Sequence, residues 1–216
     1  MEARASSPER GRPGNAVKRA QIISAARRLF VRDGVERTSM DAIAAEAGVS
    51  KRTVYDYYGD KQGLLVGVVT AAGDSLLHSM REAIDAHLSD HAAIADRVDL
   101  ERAVVRFAVE LGRSAIVNAD FAATLRLIAE NRASLAELKS HPLAEEPEKT
   151  FSERISHFAG LGLLAAEDPR EAADHFTALT ILRAVYLPPD ENGSAERIDA
   201  VMASGARAFM RAYESR

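Results

Sequence analysis

A chain of 216 residues, 47% of them apolar, can bury an ordinary core as one helical domain or as a small domain joined to a larger one. It contains no cysteine, which excludes disulfide frameworks, thiolate zinc sites and cysteine nucleophiles and suits a reducing cytoplasm. The net charge of −4 hides an asymmetry: residues 1–65 carry twelve Lys/Arg against eight Asp/Glu, while the remainder carries sixteen against twenty-four. A basic front and an acidic back confine any attraction to nucleic acid to the front, because charges act within about a Debye length.

In chain order, residues 1–15 hold Pro8, Gly11, Pro13 and Gly14 without periodicity and read as a disordered tail. That start has no hydrophobic stretch of the kind a secretory signal carries. Ile22, Ile23, Ala26, Leu29 and Phe30 then recur at helical spacing until Asp33-Gly34. Thr38 or Ser39 can cap a short second helix with Met40, Ile43, Ala44 and Ala47 on one face, ended by Gly48. Ser50 caps a third helix running to about Tyr57, and Asp60 caps a long fourth one reaching about His87. The longest apolar run within it, Leu64 to Gly73, is too short to span a bilayer, so a soluble, cytoplasmic protein is expected.

After a polar linker at 89–99, further helices are expected near 100–118, 121–132, 134–159, 169–187 and 195–213. The third of these should be interrupted around Pro142 and Pro147, and Pro188-Pro189 should stop the fourth. No segment alternates with period two. The expected fold is all-α with about nine helices: a small three-helix domain over 16–60 and a larger helical domain over 61–216.

Two short helices joined by Ala47-Gly48-Val49-Ser50 have helix-turn-helix spacing. The second presents Lys51, Arg52, Tyr55 and Asp56 near its N-terminal end, the end that a recognition helix pushes into the major groove. Arg52 has the fork for the O6/N7 edge of guanine, and Lys51, Thr53, Tyr55 and Tyr57 can bond phosphates. Lys61 adds a cation at the start of the next helix, where the dipole is positive. The competing reading is an ordinary solvated helix face on an α-helical enzyme or binding module.

The stretch "TSMDAIAAEAGVSKRTVYDYYGDKQGLLVGVV" (38–69) resembles the DNA-binding signature of the TetR/AcrR family of bacterial transcriptional regulators. Thr38, Ile43-Ala44, Glu46 to Ser50, Tyr55 to Tyr58, Lys61 and Leu64-Leu65 carry the likeness without a gap, and "RAQIISAARRLFVRDGVERTS" upstream matches the family's first helix. Arg52 and Asp56 depart from it, standing where the family often has a small residue and His. "LRLIAENRASLAEL" (125–138) and "FSERISHFAGLGLLAAEDPREAADHFTALTILRAV" (151–185) resemble more loosely the C-terminal domain of an AcrR-like subgroup.

The resemblance implies a homodimeric repressor, released from a palindromic double-stranded DNA operator by a small-molecule effector, with no enzymatic activity, cofactor or membrane partner. The expected DNA-binding residues are Thr38, Ser50, Lys51, Arg52, Thr53, Tyr55, Tyr57 and Lys61. Arg4, Arg10 and Arg12 in the tail have the composition of an arm that reaches into a minor groove, though a solvated tail is the simpler reading. Phe107, Leu111, Phe121, Leu125, Phe176 and Leu179 are candidates to line an effector cavity, with plain core packing as their alternative. The last two helices offer a dimer surface through Phe176, Leu182, Tyr186, Met202 and Phe209, as a four-helix bundle across the two-fold axis. His87 and His91 have the i,i+4 spacing of a helical metal site but no evident third ligand, so no metal is expected.

Overall fold

The 3.6-residue apolar period runs through nearly every element of the computed structural model, which describes residues 13–115, 123–124, 127, 131, 142–187 and 194–215. Eight helices lie among the described residues, and no strand. They are α1 (Pro13–Asp33), α2 (Met40–Glu46), α3 (Lys51–Tyr58), α4 (Lys61–His87), α5 (Arg97–Ala115) and α6 (Pro142–Gly160). Then come α7, made of Pro169–Thr177, a π turn Ala178–Leu182 and Arg183–Val185 without a break, and α8 (Ala195–Ala212). The helix expected near 121–132 falls largely outside the described residues, as do the tail and Pro188-Pro189.

α1 is already helical at Pro13, within the stretch expected to be a tail. α6 runs on through Pro147 instead of breaking there. Proline forfeits one backbone bond, a loss that the helix absorbs.

The chain forms two compact units, Met1–Val68 and Val69–Arg216. In the first, Ile22, Ala25, Ala26, Leu29 and Phe30 of α1, Ile43 and Ala44 of α2, Val54 of α3, and Leu64, Leu65 and Val68 of α4 are buried. In the second, α8 packs along α5 and against the π turn of α7, and α6 packs on α7. Their buried faces meet in one core, to which the later part of α4 adds Met80, Ala83 and Ile84. By length and composition α4 is apolar enough to cross a membrane, unlike the short run read from the sequence. Some of its apolar side chains serve the interiors of the units: Leu64, Leu65 and Val68 in the first, Met80, Ala83 and Ile84 in the second.

Candidate nucleic-acid interface

The turn ahead of α3 is built from backbone. Gly48 sits at φ +66°, a conformation that costs a side-chain-bearing residue energy. There the Val49 N–H donates to the Ala44 carbonyl at 3.0 Å and the Gly48 N–H to the Ala45 carbonyl at 3.2 Å, the paired bonds of a Schellman stop. Ser39 caps α2 by accepting from the Ala42 N–H at 3.1 Å. Ser50 caps α3 by accepting from the Thr53 N–H at 3.1 Å, and its hydroxyl also bonds that of Thr53 at 2.8 Å. Asp60 accepts from the Gly63 N–H at 2.8 Å and so starts α4. Stop, cap and restart thus fix both ends of an eight-residue helix.

With its ends fixed, α3 has one buried anchor and one open face. Val54 is fully buried, while Lys51, Arg52, Tyr55 and Asp56 are exposed. Their spacing of one and four residues puts all four on one side. Arg52 has a side chain 90% exposed and lies 3.8 Å from the Asp56 carboxylate. Lys51 donates to Asp41 of α2 at 2.9 Å, and that hydrogen bond, helped by the carboxylate's charge, raises the lysine above its ordinary pKa. Lys51 therefore stays a full cation at any physiological pH.

The other expected contacts divide. Tyr57 is half-buried beneath Arg19, whose guanidinium lies 5.1 Å from the ring centroid. Neighbouring Tyr58 is partly buried too, and burial pushes its phenol pKa up. Lys61 donates to the Glu36 carbonyl at 2.9 Å, which ties the start of α4 to the loop before α2 and leaves the ammonium two further donors. Thr38 is not on the face. Its side chain is 4% exposed, and its hydroxyl points inward to the Gly34 carbonyl at 2.8 Å and the Leu29 carbonyl at 3.3 Å, pinning the end of α1. A short polar side chain beside a glycine turn finds backbone before it finds solvent.

The acid paired with Lys51 has no signal in the sequence. Asp41 comes from another helix, and no local spacing links it to Lys51. The Arg52–Asp56 pair, by contrast, was readable from its i,i+4 offset. Glu46, also on α2, takes two hydrogen bonds from Arg28 of α1, at 2.9 and 3.1 Å.

In the second unit, Phe107, Leu111 and Phe176 are all buried. The Phe151 ring lies 5.0 Å from that of Phe107 and 4.6 Å from that of Phe176, and Phe209 meets Phe176 edge-on at 5.5 Å. These rings pack on one another, and Leu179 is half-buried. Phe121 and Leu125 lie outside the described residues. Of the dimer set, Phe176, Met202 and Phe209 are buried in the unit's own core, while Leu182 and Tyr186 are 43% and 66% exposed. An amphipathic stripe in sequence shows that a face is buried but not by which chain. His87 bonds Glu110 of α5, so its ring is engaged by a carboxylate.

Two family models match the chain. One, for bacterial regulatory proteins of the tetR family, covers residues 22–68; the other, the AefR-like transcriptional repressor C-terminal domain, covers 113–215. The chain belongs to the TetR family. The family is one of transcriptional regulators rather than of enzymes. Among curated relatives, this TetR-family chain is 38% identical over 81 residues to the transcriptional regulator TtgR of Pseudomonas putida, covering 38% of this chain and 34% of that protein. It is 36% identical over 67 residues to the transcriptional activator FasR of Mycolicibacterium smegmatis, covering 31% of each. The matched stretch thus spans about a third of the length of these relatives. Among solved structures, a TetR-family regulator from Mesorhizobium loti superposes with a TM-score of 0.72 at 22% identity, covering 94% of this chain and 100% of that one. The flavonoid-responsive regulator FrrA gives 0.60 at 26% identity, covering 93% and 99%.

Proposed function

We propose that this chain is a DNA-binding transcriptional regulator acting in the cytoplasm: a homodimeric repressor that leaves a palindromic operator when a small-molecule effector binds. The observation that carries this reading is the open face of α3, with Lys51, Arg52 and Tyr55 held behind a glycine turn and a serine cap. In this reading DNA binding resides in residues 16–60, and effector binding and dimerisation in 61–216. Arg52 reads a guanine edge, Lys51, Thr53 and Tyr55 hold phosphates, and Ser50 acts through the helix it caps. Tyr57 and Lys61 contribute from the margins of the face, and the phosphate contact of Lys61 uses the donors that Glu36 leaves over. The effector must bind the DNA-incompetent state more tightly, and DNA affinity then falls by that difference.

Gel shifts on a duplex enriched from a random pool test the face. Arg52→Ala should weaken binding by about 1–3 kcal/mol and relax preference at one base per half-site. Lys61→Ala should weaken all sequences alike and flatten the salt dependence by about one unit. If Arg52→Ala binds the enriched duplex and its variants as wild type does, α3 does not read the groove.

A further inference from the structure

α3 carries an acid where folding has no use for one. Asp56 lies in the last turn of Lys51–Tyr58 with its side chain 65% exposed, and the negative end of a helix dipole disfavours a carboxylate there. Its partner Arg52, 3.8 Å away, stands one turn N-terminal to it, which is the weaker order for an i,i+4 pair. So exposed a pair adds little to stability in any case. A surface built only to grip phosphates would also do better without the acid, because a carboxylate within a Debye length of the DNA backbone is repelled by it.

A carboxylate on this face is useful only where it meets a donor, and in the major groove the donors are the exocyclic amines of cytosine and adenine. They are not equivalent for this side chain. Adenine sets its N7 acceptor beside the N6 amine, and an ionised carboxylate, which only accepts, is repelled there. Cytosine offers its N4 amine without that neighbouring acceptor. Arg52 has the opposite chemistry, five donors for the paired acceptors of guanine. The charged ends of Arg52 and Asp56 lie 3.8 Å apart, close to one base-pair rise of about 3.4 Å, so both side chains address the same or adjoining base pairs.

We infer that Asp56 is a specificity-determining residue: its carboxylate accepts a hydrogen bond from the N4 amine of a cytosine beside the guanine that Arg52 contacts, and its charge weakens binding to duplexes lacking that amine. This rests on α3 being the helix that enters the groove. The test is enrichment of a randomised duplex by full-length wild type, Asp56→Ala and Asp56→Asn, followed by titration of each protein against the wild-type winner and a random duplex. Wild type should enrich a cytosine at one position per half-site. Asp56→Ala should lose that preference, with discrimination there falling roughly 5- to 150-fold, and should bind random duplex more tightly than wild type. Asp56→Asn should shift the position toward adenine, whose amine and N7 suit a side-chain amide. Identical base profiles for all three proteins would overturn the role of Asp56 while leaving α3 as the reading helix. A wild type that enriches no sequence would overturn both.

Discussion

Ser50 does at the scale of one residue what positions the whole reading face: its hydroxyl satisfies the Thr53 N–H, an otherwise orphaned donor in the first turn of α3. Ser50→Ala should cost about 1 kcal/mol in a urea melt and weaken operator binding at unchanged base preference, because the helix frays while Arg52 and Asp56 remain. Ser50→Asp, which restores an acceptor at the cap, should recover the stability. The cap, the glycine turn and the exposed cations were all legible in the sequence, since each rests on contacts within a few residues. Thr38 was not, because its direction is set by the carbonyls of Leu29 and Gly34, and the fold decides which of its neighbours are near. The hold of Glu36 on Lys61 across 25 positions was equally hidden.

Among the elements, α7 shows how a helix can be correctly placed by its period and still surprise. Phe176, Ile181, Ala184 and Val185 are buried while Leu182 and Tyr186 are exposed, and the π turn at Ala178–Leu182 shifts the register between Phe176 before it and Ala184 and Val185 after it. Thr180 eases that turn by donating its hydroxyl to the Phe176 carbonyl at 2.6 Å. Gly205 of α8 lets the helices meet there: a Cβ at that position would stand 2.1 Å from the Leu179 carbonyl oxygen. Gly205→Ala should therefore force backbone apart and lower stability by about 1–3 kcal/mol. Gly112→Ala is the control. Its Cβ would meet chiefly the Met202 side chain, at 2.6 Å from Cγ, and an unbranched methionine can swing aside. Thermal melts should show the larger loss at Gly205; equal losses would mean that the close approach at Leu179 is not what matters. The sequence held Gly205 within a stripe of small residues, but the π turn it serves depends on a partner helix and has no local signature.

For the whole molecule, one reading head of eight residues can touch only a short stretch of duplex, and pairing two heads about an axis doubles both the bases read and the phosphates neutralised. Leu182 of α7 and Tyr186 just after it are outward apolar groups on which the proposed pairing can be tested. Because Leu182 is not in the core, Leu182→Glu should leave a folded monomer by circular dichroism and sedimentation, with operator binding lost although α3 is untouched. A dimer that survives Leu182→Glu and Tyr186→Glu together would put the interface elsewhere. Chain order, helix class and the basic front were legible at this scale because they rest on composition and period. The division of the apolar surface between one chain's core and its partner was not, since both use the same residues at the same spacing. The most direct measurement is a cleavage-protection footprint of the full chain on its enriched duplex, at about physiological ionic strength, with the bound mass determined alongside. The account predicts two protomers per duplex and two symmetric protected half-sites about one helical turn apart or a multiple of it, with Arg52→Ala needing correspondingly more protein to give the same protection. Protection no stronger than on random duplex, or a single protomer bound to one unpaired site, would contradict it.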